Sequence, residues 1–228
     1  MTRRWGMTFA LAMLALIGLA GPWAGPLAGT AAAKSEQEKN DQAAGVVRSF
    51  LGDPNLASLR NGLKQARAII VVPRFEPGFW GIDDDGDGVL LVQREDGTWS
   101  HPAFYDIDDG SVVKGFWSRG SSLVLLVMND RALDLLLNAF NDVRLGSQLT
   151  VAIGPSGNAP LPPNADVISF GRTYQGYASG SVAGIDIEID KGDNQDYYGY
   201  GALPRGIVID NRYRNPGADN LRNALIGR

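Results

Sequence analysis

Three aspartates spaced two residues apart, with a glycine after the last, form the pattern in this sequence most typical of a metal site: Asp83, Asp85, Asp87 and Gly88. Calcium loops use carboxylate oxygens at this spacing and a glycine that permits the tight turn. An EF-hand loop also needs a bidentate glutamate at its twelfth position, which is Arg94 here. The sequence therefore excludes an EF-hand and leaves two alternatives, a weaker Ca²⁺ site and the favoured solvated hairpin turn.

A basic stripe on the second predicted helix indicates a binding surface. Arg60, Lys64 and Arg67 recur at helical spacing beside an apolar stripe, which is typical of helices that meet anionic lipid headgroups. Each basic residue at such a surface contributes on the order of 1 kcal/mol, so apolar groups must insert as well. The alternative is an ordinary amphipathic helix whose charged side faces water.

Aromatic residues beside further basic groups are suited to that insertion. Trp80 follows a phenylalanine, and Trp117 lies between Lys114 and Arg119. The sequence thus predicts an anionic-lipid surface made of basic and aromatic side chains, namely Arg60, Lys64, Arg67, Trp80, Lys114, Trp117 and Arg119.

Composition excludes several other classes of protein. The chain has no cysteine, and its single histidine, His101, precludes a histidine-rich metal site. Neither a GxSxG nor a Walker motif occurs, and a formal net charge of −4 argues against nucleic-acid binding. We therefore predict no catalytic residue and no cofactor beyond the open Ca²⁺ alternative, although a carboxylate-pair hydrolase stays open as a third function.

The first 33 residues have the pattern of a secretory signal peptide. Two arginines precede an apolar run over residues 7–19, and three alanines end at Ala33. The run is shorter than the about 20 residues that a membrane-spanning helix needs. We therefore predict cleavage after Ala33 and a periplasmic or secreted protein, whose stability without disulfides depends on its core.

Hydrophobic periodicity predicts one α+β domain over residues 34–228. Two helices, at 34–52 and from Pro54 to about Ala68, come first, and short helices are expected toward the C-terminus, including 216–226. No helix of βαβ length separates most of the apolar segments, so they predict a largely antiparallel, curved or barrel-like sheet. The predicted strands are 68–72, 78–82, 88–93, 98–105, 111–117, 123–128, 148–153, 167–174 and 177–189.

Several motifs in this order resemble the SYLF domain, the Ysc84-like family. They extend from about residue 43 to residue 212, and their collinear order is more specific than any one of them. The motifs are AIIVVP at 68–73, GVLLV at 88–92, TWSHPAFY at 98–105, SSLVLLVMNDRAL at 121–133, GRTYQGYASGS at 171–181 and NQDYY at 194–198.

The resemblance implies a non-enzymatic lipid-binding domain. Eukaryotic relatives are associated with phosphoinositide binding and in some cases with actin, and only the lipid function carries over to an exported bacterial chain. The family's glycine-rich turn is replaced here by the aspartate-rich segment, and the next turn carries Lys114, Trp117 and Arg119 where relatives have small neutral residues. We expect an anionic lipid or membrane surface as the partner; the alternative is a structural or interaction module of the bacterial envelope that uses sheet edges or the 154–164 loop.

Overall fold

A computed structural model of the chain describes residues 25–76, 85–108, 121–138, 142–173, 176–178 and 181–227. The helices are α1 Gly25–Gly52, α2 Ala57–Leu63, α3 Asp130–Asn138, α4 Lys191–Tyr198, α5 Pro204–Val208 and α6 Asp219–Leu225, with short 3₁₀ helices at Pro54–Leu56 and Pro216–Ala218. The strands are β1 Ala68–Val72, β2 Phe75–Glu76, β3 Asp85–Val92, β4 Ala103–Asp108, β5 Ser122–Val127, β6 Val143–Arg144, β7 Val151–Ile153, β8 Val167–Thr173, β9 Gly176–Ala178 and β10 Asp186–Ile189.

The strands form one curled sheet, which confirms the predicted α+β class. Its order is β6-β10-β4-β3-β1-β5-β8-β7, with β2 paired to β3 and β9 to β8. All of these strand pairs are antiparallel except β7 with β8. In the central strand, Ile70 faces Leu90 on one side and Leu125 on the other.

Both faces of the central sheet are buried. Ile69 and Val71 of β1 pack into a core with α1, α2 and α6. The alternate residues, including Ile70 and Val72, pack into a second core with α3 and α5. Burial on both faces explains why residues 68–72 are uninterruptedly apolar although the strands are antiparallel.

The predicted second helix is divided and shorter than expected. Asp53 caps a 3₁₀ turn by accepting a 2.9 Å hydrogen bond from the backbone of Asn55, and α2 then ends at Leu63. The helix stops because the Arg67 amide already donates to the Val127 carbonyl at 2.8 Å, as the chain enters the sheet. Arg67 therefore does not lie on the helix of Arg60 and Lys64.

The C-terminal region corrects two further expectations. The predicted strand 177–189 is interrupted, because a turn at Gly184, with φ of 99°, separates β9 from β10. Helix α4 was not predicted at its position; it begins at the Asp190 cap, whose carboxylate accepts a 2.8 Å hydrogen bond from the Asp193 amide. It buries only Asn194 and Tyr197, and this polar composition gives no periodic apolar signal.

The N-terminal helix extends further than expected. It begins at Gly25 and passes through Ala33, where cleavage is predicted; residues 1–24 lie outside the described part of the chain. In the segments that the structure describes, no helix combines the length and apolar character needed to cross a membrane. The predicted strands 78–82 and 111–117 both lie outside the described residues.

Candidate functional site

A mostly apolar groove of about 380 Å³ lies where α2, the 93–99 turn and the end of α6 meet. Arg60 and Lys64 lie on its α2 side. Ile226 is 43% exposed there, whereas Trp99 is only 2% exposed. The groove therefore combines an apolar surface with basic groups, as a site for an anionic amphiphile requires. Its apolar lining residues are Leu51, Leu63, Trp99, Leu225 and Ile226.

The three members of the predicted basic stripe have different environments. Arg60 donates from Nη1 to the carbonyl oxygens of Leu51 at 2.8 Å and Asp53 at 2.9 Å, so it satisfies the C-terminal end of α1. The exposed Arg67 pairs with Asp130 at 2.6 Å. Lys64 is exposed and has no ion pair within the described residues. Lys64 is thus the one of the three whose charge is unengaged.

A second group of basic side chains surrounds the Trp99 carbonyl, next to the groove. Arg222 of α6 donates to this oxygen from Nε at 2.9 Å, and Arg94 approaches it from Nη1 at 3.4 Å. Arg94 also donates to Asn211 at 3.2 Å. The sequence alone does not indicate these arginines, because they lie on separate elements and only the fold brings them together.

His101 is buried beside this group. It is 6% exposed, and among the described residues nothing hydrogen-bonds to its Nδ1. Burial, followed by repulsion from Arg222, lowers the pKa of His101 to about 4. The imidazole is therefore neutral at physiological pH, and its pKa depends in part on the positive charges of the arginines.

An acidic groove of about 360 Å³ lies elsewhere, along β3, β4 and β10. Asp106 faces Asp87 on one neighbouring strand and Glu188 on the other. The pKa of Asp106 is raised to about 6. Partial burial is the main cause, and the negative charges of nearby carboxylates, first that of Asp190, add to it. Like charges directly opposite on neighbouring strands repel each other. The groove is lined by Arg74 and by the carboxylates of Asp87, Asp106, Asp108, Asp142, Asp186 and Glu188.

Lys39 of α1 neutralises part of this acidic region. Its ammonium pairs with Asp87 of β3 at 2.9 Å and with Asp193 of α4. The carboxylate of the buried Glu36 lies 3.8 Å away from it. Burial, followed by the Asp193 charge, raises the pKa of Glu36 to about 7. These contacts join α1 to α4 and to the sheet.

The expected aspartate turn is wrong for residues 85–88, which lie in strand β3. The reason is that successive residues of a strand point to opposite faces of the sheet. Gly86 and Gly88 share the crowded face, where a Cβ at Gly86 would lie 2.9 Å from Val72 and one at Gly88 would lie 2.9 Å from Ile107. The glycines allow close packing, and Asp87 lies on the opposite face. No group of three or more metal-binding side chains occurs among the described residues.

Several predicted site residues cannot be located. Asp83, Trp80, Lys114, Trp117 and Arg119 lie outside the described residues, and only the backbone of Asp85 is described. Of the predicted lipid surface, the structure brings Arg60 and Lys64 together at the groove, and it places Arg67 at the start of the sheet.

Several known proteins are similar to this chain over most of its length. SH3 domain-containing YSC84-like protein 1 of Bos taurus and of Homo sapiens are each 26% identical over 205 residues, 84% of this chain and 58% of the relative. Protein YSC84 of Saccharomyces cerevisiae is 26% identical over 208 residues, 86% of this chain and 43% of that protein. The chain thus spans less than two thirds of these relatives. Residues 119–227 match the Ysc84 family model, described as Las17-binding protein actin regulator. Over these residues the chain therefore matches the Ysc84 family, which supports the resemblance to the SYLF domain that its motifs indicate.

Proposed function

We propose that this domain binds anionic amphiphiles, as lipids or as a membrane surface, and does so without catalysis. The observation that carries the proposal is the apolar groove with Lys64 exposed at its edge. An acyl chain or inserted lipid segment would contact Leu63 and Ile226, and the headgroup would face the ammonium. Apolar burial of this kind contributes about 25 cal/mol per Å².

Electrostatics must act locally in this binding mode. The whole chain has a formal net charge of −4, so its overall field does not attract an anionic surface. A lysine near such a surface contributes on the order of 1 kcal/mol, and the attraction decays within a Debye length of about 10 Å at 0.1 M salt. Binding is therefore expected to be sensitive to salt and to depend on few basic residues.

The signal-like residues 1–33 support placement of the domain in a bacterial envelope or outside the cell. In that compartment the available anionic amphiphiles are membrane lipids. N-terminal sequencing of the protein secreted or exported by its native host tests this part of the proposal, with Lys34 expected as the first residue. Retention of residues 1–33 would contradict it.

Co-sedimentation with vesicles tests the binding proposal. Vesicles of phosphatidylglycerol and phosphatidylcholine should retain the protein, and vesicles of phosphatidylcholine alone should retain much less. Binding should fall when NaCl is raised from 50 to 500 mM, since salt screens the charges. Equal binding to both vesicles would contradict the proposal.

The names of the relatives support a second candidate, a protein-interaction module. LAS seventeen-binding protein 3 of Saccharomyces cerevisiae is 25% identical over 174 residues. The chain also exposes apolar side chains near α5, with Tyr200 95% and Leu203 51% exposed. Size-exclusion chromatography of cross-linked envelope extracts, comparing wild type with Tyr200→Ser, would test whether this segment holds a protein partner.

The acidic groove supports the third candidate, a carboxylate-pair hydrolase. Asp106, with its pKa near 6, adjoins Asp87 and Glu188 across the strands, and a protonated acid beside an ionised carboxylate suits hydrolysis. Incubation with chromogenic glycosides tests this candidate. Turnover that is abolished by Asp106→Asn would favour it over amphiphile binding.

A further inference from the structure

A second groove, of about 750 Å³, lies between α2 and the 154–164 loop. Amide side chains line both of its walls: Asn61 of α2 and Gln65 just after it on one side, and Asn158 of the loop on the other. We call it the amide groove. Lys64 lines this groove and the apolar groove alike. The exposed ammonium therefore lies where the apolar surface and an uncharged polar surface adjoin.

Hydrogen bonds hold the two walls of the amide groove together. The Ser58 amide donates to the Gly157 carbonyl at 2.7 Å, and the Gly157 amide donates to the Asn55 carbonyl at 2.6 Å. Between the side chains, Nδ2 of Asn61 donates to Oδ1 of Asn158 at 2.7 Å. The groove is thus pre-formed, so a ligand would not have to order the loop as it binds.

The amides of this groove retain both donors and acceptors. Asn61 uses one donor in the contact with Asn158, and Gln65 donates to the backbone carbonyl of Asn61 at 3.3 Å. Within the described part of the chain, the side-chain carbonyl oxygens of Asn61 and Gln65 accept no hydrogen bond, and the side-chain nitrogen of Asn158 donates none. A hydroxyl group both donates and accepts, whereas an ionised carboxylate only accepts. The groove therefore matches hydroxyl groups better than it matches an anion alone.

We propose that the amide groove binds a sugar ring whose acidic substituent pairs with Lys64. A sugar carries hydroxyl groups around its edge for the three amides, and its C–H faces suit the short apolar stretch at 159–161 of the loop. The sugar site rests on the amide groove alone. Its link to lipid rests on the proposed function, through the ammonium that both grooves share. The ligand would then be an acidic glycolipid with its chain in the apolar groove.

Two kinds of vesicle and one soluble sugar test this assignment with the purified protein. Phosphatidylcholine vesicles contain either glucuronosyl diacylglycerol or phosphatidylglycerol at the same molar fraction. Each of these lipids carries one negative charge, and only the first carries a sugar. We expect several-fold stronger retention on the glucuronosyl vesicles. Methyl glucuronoside should displace the protein from them, whereas sodium acetate at the same concentration should not.

Substitution of Asn158 tests the groove itself. Asn158→Asp keeps an oxygen that accepts from Asn61 and removes the two N–H donors. It should weaken the calorimetric binding of methyl glucuronoside about tenfold, as expected for one lost hydrogen bond. Asn138→Asp is the matched control, because Asn138 is also exposed, lies in α3 outside the groove and undergoes the same charge change. Gln65→Ala should also weaken binding, and it leaves the charge unchanged.

The outcomes separate the sugar site from the lipid function. Equal retention on the two kinds of vesicle, with no binding of methyl glucuronoside, would overturn the sugar site and leave lipid binding intact. An equal effect of Asn158→Asp and Asn138→Asp would overturn it as well. Binding of methyl glucuronoside that Asn158→Asp weakens, in a protein that neither vesicle retains, would support the sugar site with a free acidic glycan as its ligand. That result would reject the proposed lipid function.

Discussion

Arg60 donates a 2.8 Å hydrogen bond to the carbonyl oxygen of Leu51, in the last turn of α1. The last carbonyls of a helix have no partner within the helix, so a basic side chain at this position is favourable. The same side chain lines the groove beside Lys64. Arg60 of α2 and Lys64, which follows the end of α2, therefore have separable roles: Arg60 supports the fold, and Lys64 is available to a ligand.

Arg60→Ala should destabilise the protein, and Lys64→Ala should not. The first change removes two hydrogen bonds from a charged donor, with an expected loss of about 1–3 kcal/mol in the free energy of unfolding. The second alters an exposed side chain, with an effect within about 0.5 kcal/mol. Urea denaturation of both variants measures the difference. Equal losses would contradict the division of roles.

Stability should fall as the pH rises from 5 to 8, in part because of Glu36. Its pKa in the folded state, about 7, lies above the ordinary value of 4.5, so folding favours the protonated form. The stabilisation is present below pH 4.5 and is lost as the pH rises through 7. Glu36→Gln should remove this loss and be more stable than wild type at pH 8, by on the order of 2 kcal/mol.

Urea denaturation of wild type and Glu36→Gln at pH 5 and pH 8 provides the comparison. Asp106 and Asp190 also have raised pKa values, which adds to the loss in both proteins, whereas the lowered pKa of His101 opposes it equally in both. The variant should lose less. Parallel pH profiles would show that Glu36 is not the group responsible.

The apolar edge of the groove is tested by a matched pair of isoleucines. Ile226, which lines the groove, and Ile209, which does not, are each 43% exposed. Ile226→Ser should weaken retention on anionic vesicles several-fold, since inserted apolar area is lost. Ile209→Ser should leave retention unchanged, and an equal effect of the two substitutions would exclude the groove as the contact.

Millimolar Ca²⁺ should leave the Tm unchanged. Asp87 already pairs with Lys39 at 2.9 Å, and its segment is a strand instead of a chelating loop. Thermal melts with CaCl₂ and with EDTA make the comparison. A rise in Tm that Asp87→Asn abolishes would restore the calcium alternative.

The sequence predicts the sheet better than it predicts the site. The apolar run at 68–72 and the cap at Asp53 depend on local patterns, and both occur as expected. The segment at 85–88 shows the limit: alternating aspartate and glycine fit a turn and a strand equally well. Packing of Ile107 against Gly88 favours the strand. Because this contact joins residues that are distant in the chain, the local sequence pattern does not indicate it.

The basic residues illustrate the same limit. Helical spacing correctly places Arg60 and Lys64 next to each other. It cannot reveal that the guanidinium of Arg60 is hydrogen-bonded to the carbonyl oxygen of Leu51. Arg94 and Arg222 are far apart in sequence and meet only at the Trp99 carbonyl. A linear pattern carries no signal for such a convergence, so this arrangement of the two arginines depends on the fold alone.

Retention of Lys64→Glu on anionic vesicles tests the central proposal most directly. Lys191→Glu is its control, since Lys191 is also exposed, lies outside the groove and undergoes the same charge change. We predict that Lys64→Glu loses most of its binding to phosphatidylglycerol vesicles at 50 mM NaCl, whereas Lys191→Glu binds like wild type. Equal retention of the two variants would contradict the account.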